Sequence, residues 1–192
     1  MKRSLIVGLL LGSSALVNLG QAYRIWQLED HIAVMKGENQ LKEGSPVPPL
    51  AILNSAGTRT VIPVGDRRPL IVYWMSPGCG WCQRNEANVH ALIQQIGERY
   101  RVAVLTMSAR GATTYDSIRR LGVPVLGEPD ASTSRVYRFG GTPQTIVIGS
   151  DGKVLRVWSG AYMGRLKQDV EKYLYVSLPG LSDLSTGSPA HD

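Results

Sequence analysis

The sequence predicts an α/β domain of three layers, with helices on the faces of a mixed central sheet, preceded by an N-terminal membrane anchor and a helical stalk. Three observations carry that expectation. Between residue 44 and residue 176, short apolar runs alternate with stretches of 3.6-residue periodicity, in the order βαβα and then ββα. The only two cysteines, Cys79 and Cys82, stand together where one such strand gives way to a helix. Lys2 and Arg3 precede an apolar stretch from Leu5 to Leu19, broken only by small residues and Asn18.

A chain of 192 residues that is 43% apolar has room for one compact domain of roughly 130 residues with appendages, and not for two sizeable ones. The formal charge of +6 is spread among acidic residues and forms no basic run. It reads as solubility and implies no nucleic-acid partner.

The N-terminal layout, a charged segment followed by an apolar one, is that of an export signal. Two versions fit. Gly20-Gln21-Ala22 offers the small residues a signal peptidase reads. Alternatively the segment over residues 1–20 stays as an anchor, because Tyr23, Ile25, Trp26, Leu28, Ile32 and Met35 continue it at helical spacing into a stalk over residues 21–43. Tyr23 and Trp26 then lie where aromatic rings prefer the membrane interface. A helix packed on the domain's own core is the other reading of that stripe. Lys2 and Arg3 on the cytoplasmic side place the rest of a single-pass chain outside, in the periplasm.

Gly44-Ser45-Pro46-Val47-Pro48-Pro49 ends the stalk and opens the folded domain, residues 44–176. Leu50 to Leu53 and Thr60 to Val64, around the turn Asn54-Ser55-Ala56-Gly57, read as a hairpin. Leu70 to Met75 reads as a buried strand, and beyond Ser76-Pro77-Gly78 the residues Val89, Leu92, Ile93 and Ile96 mark a helix that Gly97 closes. Arg101 to Met107 is a further strand, Thr113 to Leu121 a short helix, and Val123 to Leu126 an extended piece. Gln144 to Ile148 and Val154 to Trp158 flank the turn Ser150-Asp151-Gly152-Lys153, and a last helix covers about Met163 to Tyr173. Residues 177–192, rich in Ser, Gly and Pro and without periodicity, read as a flexible tail.

Two cysteines cannot build a disulfide framework or a four-cysteine zinc site, and His31, His90 and His191 show no ligand spacing around them, so neither a metal nor another cofactor is expected. Gln83 after the second cysteine excludes c-type haem attachment. At a helix start the unpaired N–H groups favour a thiolate, which is the form that attacks disulfides. That position belongs to Cys79, making it the candidate nucleophile. Cys82, three residues on and on the same helix face, is the candidate resolving thiol. Thr142-Pro143, ahead of a strong strand, is the second candidate element, since proline removes a donor and holds Thr142 extended; an ordinary strand-entry proline is the other reading of these residues.

With CGWC after LIVYWMSPG, with TPQTIVIGSDGKVL and with WSGAYMGRL, the chain resembles the thioredoxin superfamily, and within it the exported TlpA/ResA-like thiol-disulfide oxidoreductases and the MauD-type redoxins. The likeness runs from about Gly44 to Tyr173. It implies a thioredoxin-like α/β/α fold, protein thiols and disulfides as substrates, and a membrane or periplasmic electron donor. It also implies that Pro143 is cis against the disulfide, that Thr142 offers backbone hydrogen bonds to a substrate strand, and that Trp81 lies on the exposed lip. Gly80-Trp81 with Thr142 resembles the pairing of periplasmic disulfide isomerases, which points to reductase or isomerase work.

The departures concern acids. Tyr73 stands where thioredoxins carry a buried Asp, and Asn85 where ResA-like proteins carry a Glu. Glu86, one position further, either substitutes for that acid or is solvated. These three are candidate modulators. A peroxiredoxin-like thiol peroxidase and a copper metallochaperone are the alternatives, but the peroxidatic Pro-x-x-x-Thr-x-x-Cys context and the CxxxC spacing are both missing.

Overall fold

The computed structural model describes residues 17–24, 41–53, 58–107 and 116–182. The chain divides into two units, Met1–Gln40 and Leu41–Asp192. In the first, residues 17–24 are helical with Val17, Leu19 and Tyr23 exposed. Among the described residues no helix is long and apolar enough to cross a membrane. The rest of the expected anchor and nearly all of the stalk lie outside the described residues.

In the second unit, β3 (Leu70–Met75) is central, with all six residues buried. It runs parallel to β4 (Arg101–Thr106) and antiparallel to β7 (Gln144–Ile148). With β5 (Val125–Leu126) and β8 (Val154–Ser159) the sheet has the order β5-β4-β3-β7-β8 and is mixed, as expected. A strand reads as one unbroken apolar run when both of its faces are covered. Alternate residues of β3 go to opposite sides. Ile71, Tyr73 and Met75 meet Val89, Leu92 and Ile96 of α2 (Glu86–Ile96) and Val170 and Leu174 of α5 (Gly164–Leu174). Val72 and Trp74 meet Leu50, Ile52, Ile146 and Tyr137 on the other side. Each fully buried side chain of this size contributes about 1.5–3 kcal/mol.

The second face is closed by a small antiparallel sheet, β2-β1-β6, made of β1 (Leu50–Leu53), β2 (Arg59–Ile62) and β6 (Glu128–Pro129). The expected hairpin is present with Leu50 opposite Ile62, while its turn at residues 54–57 lies outside the described residues. The described part of the Thr113–Leu121 helix is α3 (Asp116–Arg119). β6 and the following α4 (Ala131–Tyr137) were not anticipated.

At the start of the compact unit, three residues ahead of the expected opening near Gly44, Leu41 is already buried and Glu43 pairs with Arg156 at 3.0 Å. Of the tail expected to fray from Ser177, the described part, residues 177–182, docks on the domain, while residues 183–192 lie outside the described residues. Gln95 exchanges two hydrogen bonds with the Ser177 backbone, 2.8 and 2.6 Å, and Leu178 is buried. The Leu178 N–H donates to Glu171, whose carboxyl is held below its ordinary range first by that bond and then by Lys167.

Candidate active site

β3 ends at Met75 and the chain turns through Ser76-Pro77-Gly78, with Gly78 at φ 77°, a conformation that favours glycine. The turn places Cys79 as the N-cap of α1 (Gly80–Arg84), and its Sγ accepts from the Cys82 N–H at 3.1 Å. Cys79 and Cys82 form a disulfide with Cα atoms 5.2 Å apart. Cys82 is 1% exposed, whereas Cys79 is only partly covered. An N–H aimed at the Cys79 sulfur stabilises it as a thiolate once the pair is reduced, because a charge-assisted hydrogen bond is stronger than a neutral one.

The loop before β7 supplies the opposite side. The Thr142–Pro143 peptide is cis, and the Thr142 carbonyl lies 3.5 Å from the Cys79 Sγ. The Ser76 and Thr142 hydroxyls share a hydrogen bond of 2.9 Å, tying the two loops together. Trp81 is 49% exposed, with the Arg84 guanidinium 4.9 Å over its ring. Trp81, Pro143, Ala161, Met163 and Leu166 line a groove of about 310 Å³ beside the disulfide. An open apolar groove beside a reactive sulfur can take an extended polypeptide segment.

Tyr73 and Asn85 meet behind the disulfide. Asn85 separates α1 from α2 and is fully buried. Its Nδ2 donates to the Tyr73 hydroxyl at 3.0 Å, and its Oδ1 accepts from Asn88 Nδ2 and from the Tyr162 N–H, each at 2.9 Å. The Tyr162 hydroxyl shares a 2.6 Å bond with Thr145, and burial pushes that phenol well above its ordinary pKa. The groups joined are amides, phenols and a hydroxyl, so the cluster is neutral. Glu86 does not join it; its carboxylate accepts from Ser117 and lies 3.8 Å from His90, too far for a hydrogen bond. Ser76, Asn88, Tyr162 and Met163 were not singled out in the sequence. Ser76, Tyr162 and Met163 lie in the segments that carry the resemblance, and Asn88 is an amide on the same helix stripe as Val89 and Leu92.

No family model matches this chain, and no curated protein matches its sequence. Solved structures do. The thioredoxin domain of a thiol-disulfide oxidoreductase from Bacteroides vulgatus superposes with TM-score 0.50 at 16% identity, over 70% of this chain and 99% of that one. A protein described as thiol:disulfide interchange protein DsbE, from Chlorobium tepidum, gives 0.51 at 21%, over 71% and 97%. A peroxiredoxin-like protein from Aquifex aeolicus gives 0.55 at 14%, over 71% and 87%.

The domain has the thioredoxin fold. Its structural neighbours include proteins described as thiol-disulfide oxidoreductases, and the Cys79–Cys82 pair of this thioredoxin-fold domain fits a CxxC motif. Among the described residues no group of His, Cys, Asp and Glu is arranged to hold a metal ion.

Proposed function

We propose that the chain is an extracytoplasmic thiol-disulfide oxidoreductase, working as a reductase or isomerase on protein disulfides through its CGWC dithiol. The observation that carries this reading is the asymmetry of the pair. Cys79 caps a helix, partly open beside an apolar groove and a cis-proline loop, while Cys82 is buried behind it.

With the pair reduced, the Cys79 thiolate attacks one sulfur of a substrate disulfide. A mixed disulfide forms, the substrate S–S bond breaks, and its second sulfur leaves as a thiolate that takes up a proton. Cys82, after losing its proton, attacks the Cys79 sulfur, closing the Cys79–Cys82 bond and releasing the other substrate thiol. Two electrons have passed to the substrate. A dithiol donor, in the membrane or outside it, returns the pair to its reduced form by the reverse exchange. Thr142 and Pro143 hold the substrate strand and Trp81 covers it. The apolar Leu5–Leu19 segment behind Lys2 and Arg3 supports a single-pass location in the inner membrane with the domain on the periplasmic side.

In Cys82→Ser the mixed disulfide forms and is not resolved, so the partner is recovered covalently bound; in Cys79→Ser neither exchange nor trapping occurs. Non-reducing electrophoresis reads both, and equal trapping by the two variants would overturn the roles. Pre-reduced protein oxidised by hydrogen peroxide faster than by a peptide disulfide would favour a peroxidase instead.

A further inference from the structure

Part of the groove's lining is a loop whose backbone is gripped by Asn85 and by Asn88 of α2. The Tyr162 N–H donates to Asn85 Oδ1 at 2.9 Å, and the Tyr162 carbonyl accepts from Asn88 Nδ2 at 3.2 Å. Its neighbours Ala161 and Met163 line the groove. The remaining polar atom of Asn88, Oδ1, accepts from the Gly180 N–H at 2.8 Å. Two residues on, the Ser182 N–H donates to the Arg84 carbonyl at 3.0 Å, and Arg84 Nε donates to the Ser182 carbonyl at 3.3 Å. Arg84 in turn covers the Trp81 ring at 4.9 Å. Residues 176–182 thus form a strap that runs along α2 towards the disulfide and bonds to Asn88 and Arg84, each of which contacts a segment lining the groove.

We propose that Asn88 and Arg84 are positioning residues through which this strap sets the spacing of these two segments, and with it the affinity for a protein disulfide. The proposal rests on the exchange reading above. Neither residue touches a reacting sulfur. Asn88 acts through Tyr162 on Met163, and Arg84 acts through Trp81. Because Gly180 bonds to the same amide that bonds to Tyr162, loss of the strap and loss of Asn88 remove one device, not two.

The test uses the full chain, chemically reduced, and follows its single-turnover oxidation by increasing concentrations of a disulfide-bridged peptide. Asn88→Ala raises the half-saturating peptide concentration about tenfold, while the limiting rate and the equilibrium with glutathione each stay within about twofold of wild type. Arg84→Ala, at a partly exposed site where folding is not at stake, raises it about threefold. Gly180→Pro removes the N–H at a φ of 105° that proline cannot adopt, and reproduces Asn88→Ala. The double variant Asn88→Ala/Gly180→Pro is no worse than either single, the mark of coupled sites. Half-saturation that is unchanged in Asn88→Ala and Arg84→Ala, limiting rates that fall together with the folded fraction, or additive effects in the double variant would each overturn the inference. A wild type inert towards the peptide would overturn the exchange reading and this inference with it.

Discussion

Asn85 sits one helical turn after Cys82 and commits both polar atoms of its amide to protein partners, as donor to Tyr73 and as acceptor from Asn88 and Tyr162. A longer Glu would have to displace those partners. Asp keeps the shape: its oxygens still accept from Tyr162 and Asn88, and the Tyr73 hydroxyl can turn to donate. Burial raises the pKa of such a carboxyl. It therefore holds its proton more tightly in the folded chain, so Asn85→Asp is stable at acid pH and loses stability as pH rises through the raised value. The rate of mixed-disulfide release should also gain an ionisation on its acid limb that wild type lacks. Stopped-flow release rates across pH read this, and superimposable profiles would place Asn85 out of reach of Cys82. The two cysteines were legible because spacing and residue type define them, whereas Pro143 was marked out only by the family resemblance, since its residue type alone fits an ordinary strand-entry proline equally well. Tyr73 and Asn85 were visible as departures from a family pattern. Their meeting with Tyr162 was not legible, since the partners are 77 positions apart and no local periodicity encodes that contact.

Among the elements, β3, β4, β7 and β8 could be read because continuous or alternating apolar runs are a local signal. α4 escaped because only Thr133 and Tyr137 of its seven residues are buried, leaving no apolar stripe. β6 is two residues long and contains Pro129, which is tolerated at a sheet edge. What fixes α4 is its cap. Asp130 accepts from the Thr133 N–H at 2.8 Å and from Ser132 at 2.7 Å, with Arg59 at 3.3 Å. The Thr133 N–H first, and these other donors after it, hold the carboxyl far below its ordinary pKa. A carboxylate depressed on folding contributes stability above its unfolded pKa of about 3.9, and the contribution fades as pH falls towards the folded value. Asp130→Ala should therefore melt lower than wild type by a constant margin above about pH 5, and the margin should shrink below about pH 4. Thermal melts followed by circular dichroism at pH 7, 5 and 3 test the sign; a margin that grows on acidification would refute it.

For the molecule as a whole, the two ends of the domain were the least legible, since each is secured by contacts distant in sequence rather than by its own pattern. At the start, the Gly44 N–H donates to the Val154 carbonyl at 2.7 Å, and Val47 to Gly152 at 3.0 Å. A chain beginning at Leu41 should fold cooperatively and keep exchange activity. One beginning at Gly44 loses the burial of Leu41 and the Glu43–Arg156 pair, and should melt roughly 5 °C or more lower. Equal melting temperatures would show that Leu41 adds nothing to the core. At the other end, the strap runs antiparallel to α2 and reaches the end of α1, with Ser177 at Gln95, Gly180 at Asn88 and Ser182 at Arg84. In mechanical terms that is a peeling geometry. Tension applied beyond Ser182 and directed away from the helix loads the contacts one at a time and not in shear, beginning with Arg84 and reaching Asn88 before Gln95. A pull on this end is felt first beside the disulfide and last at the far end of the helix.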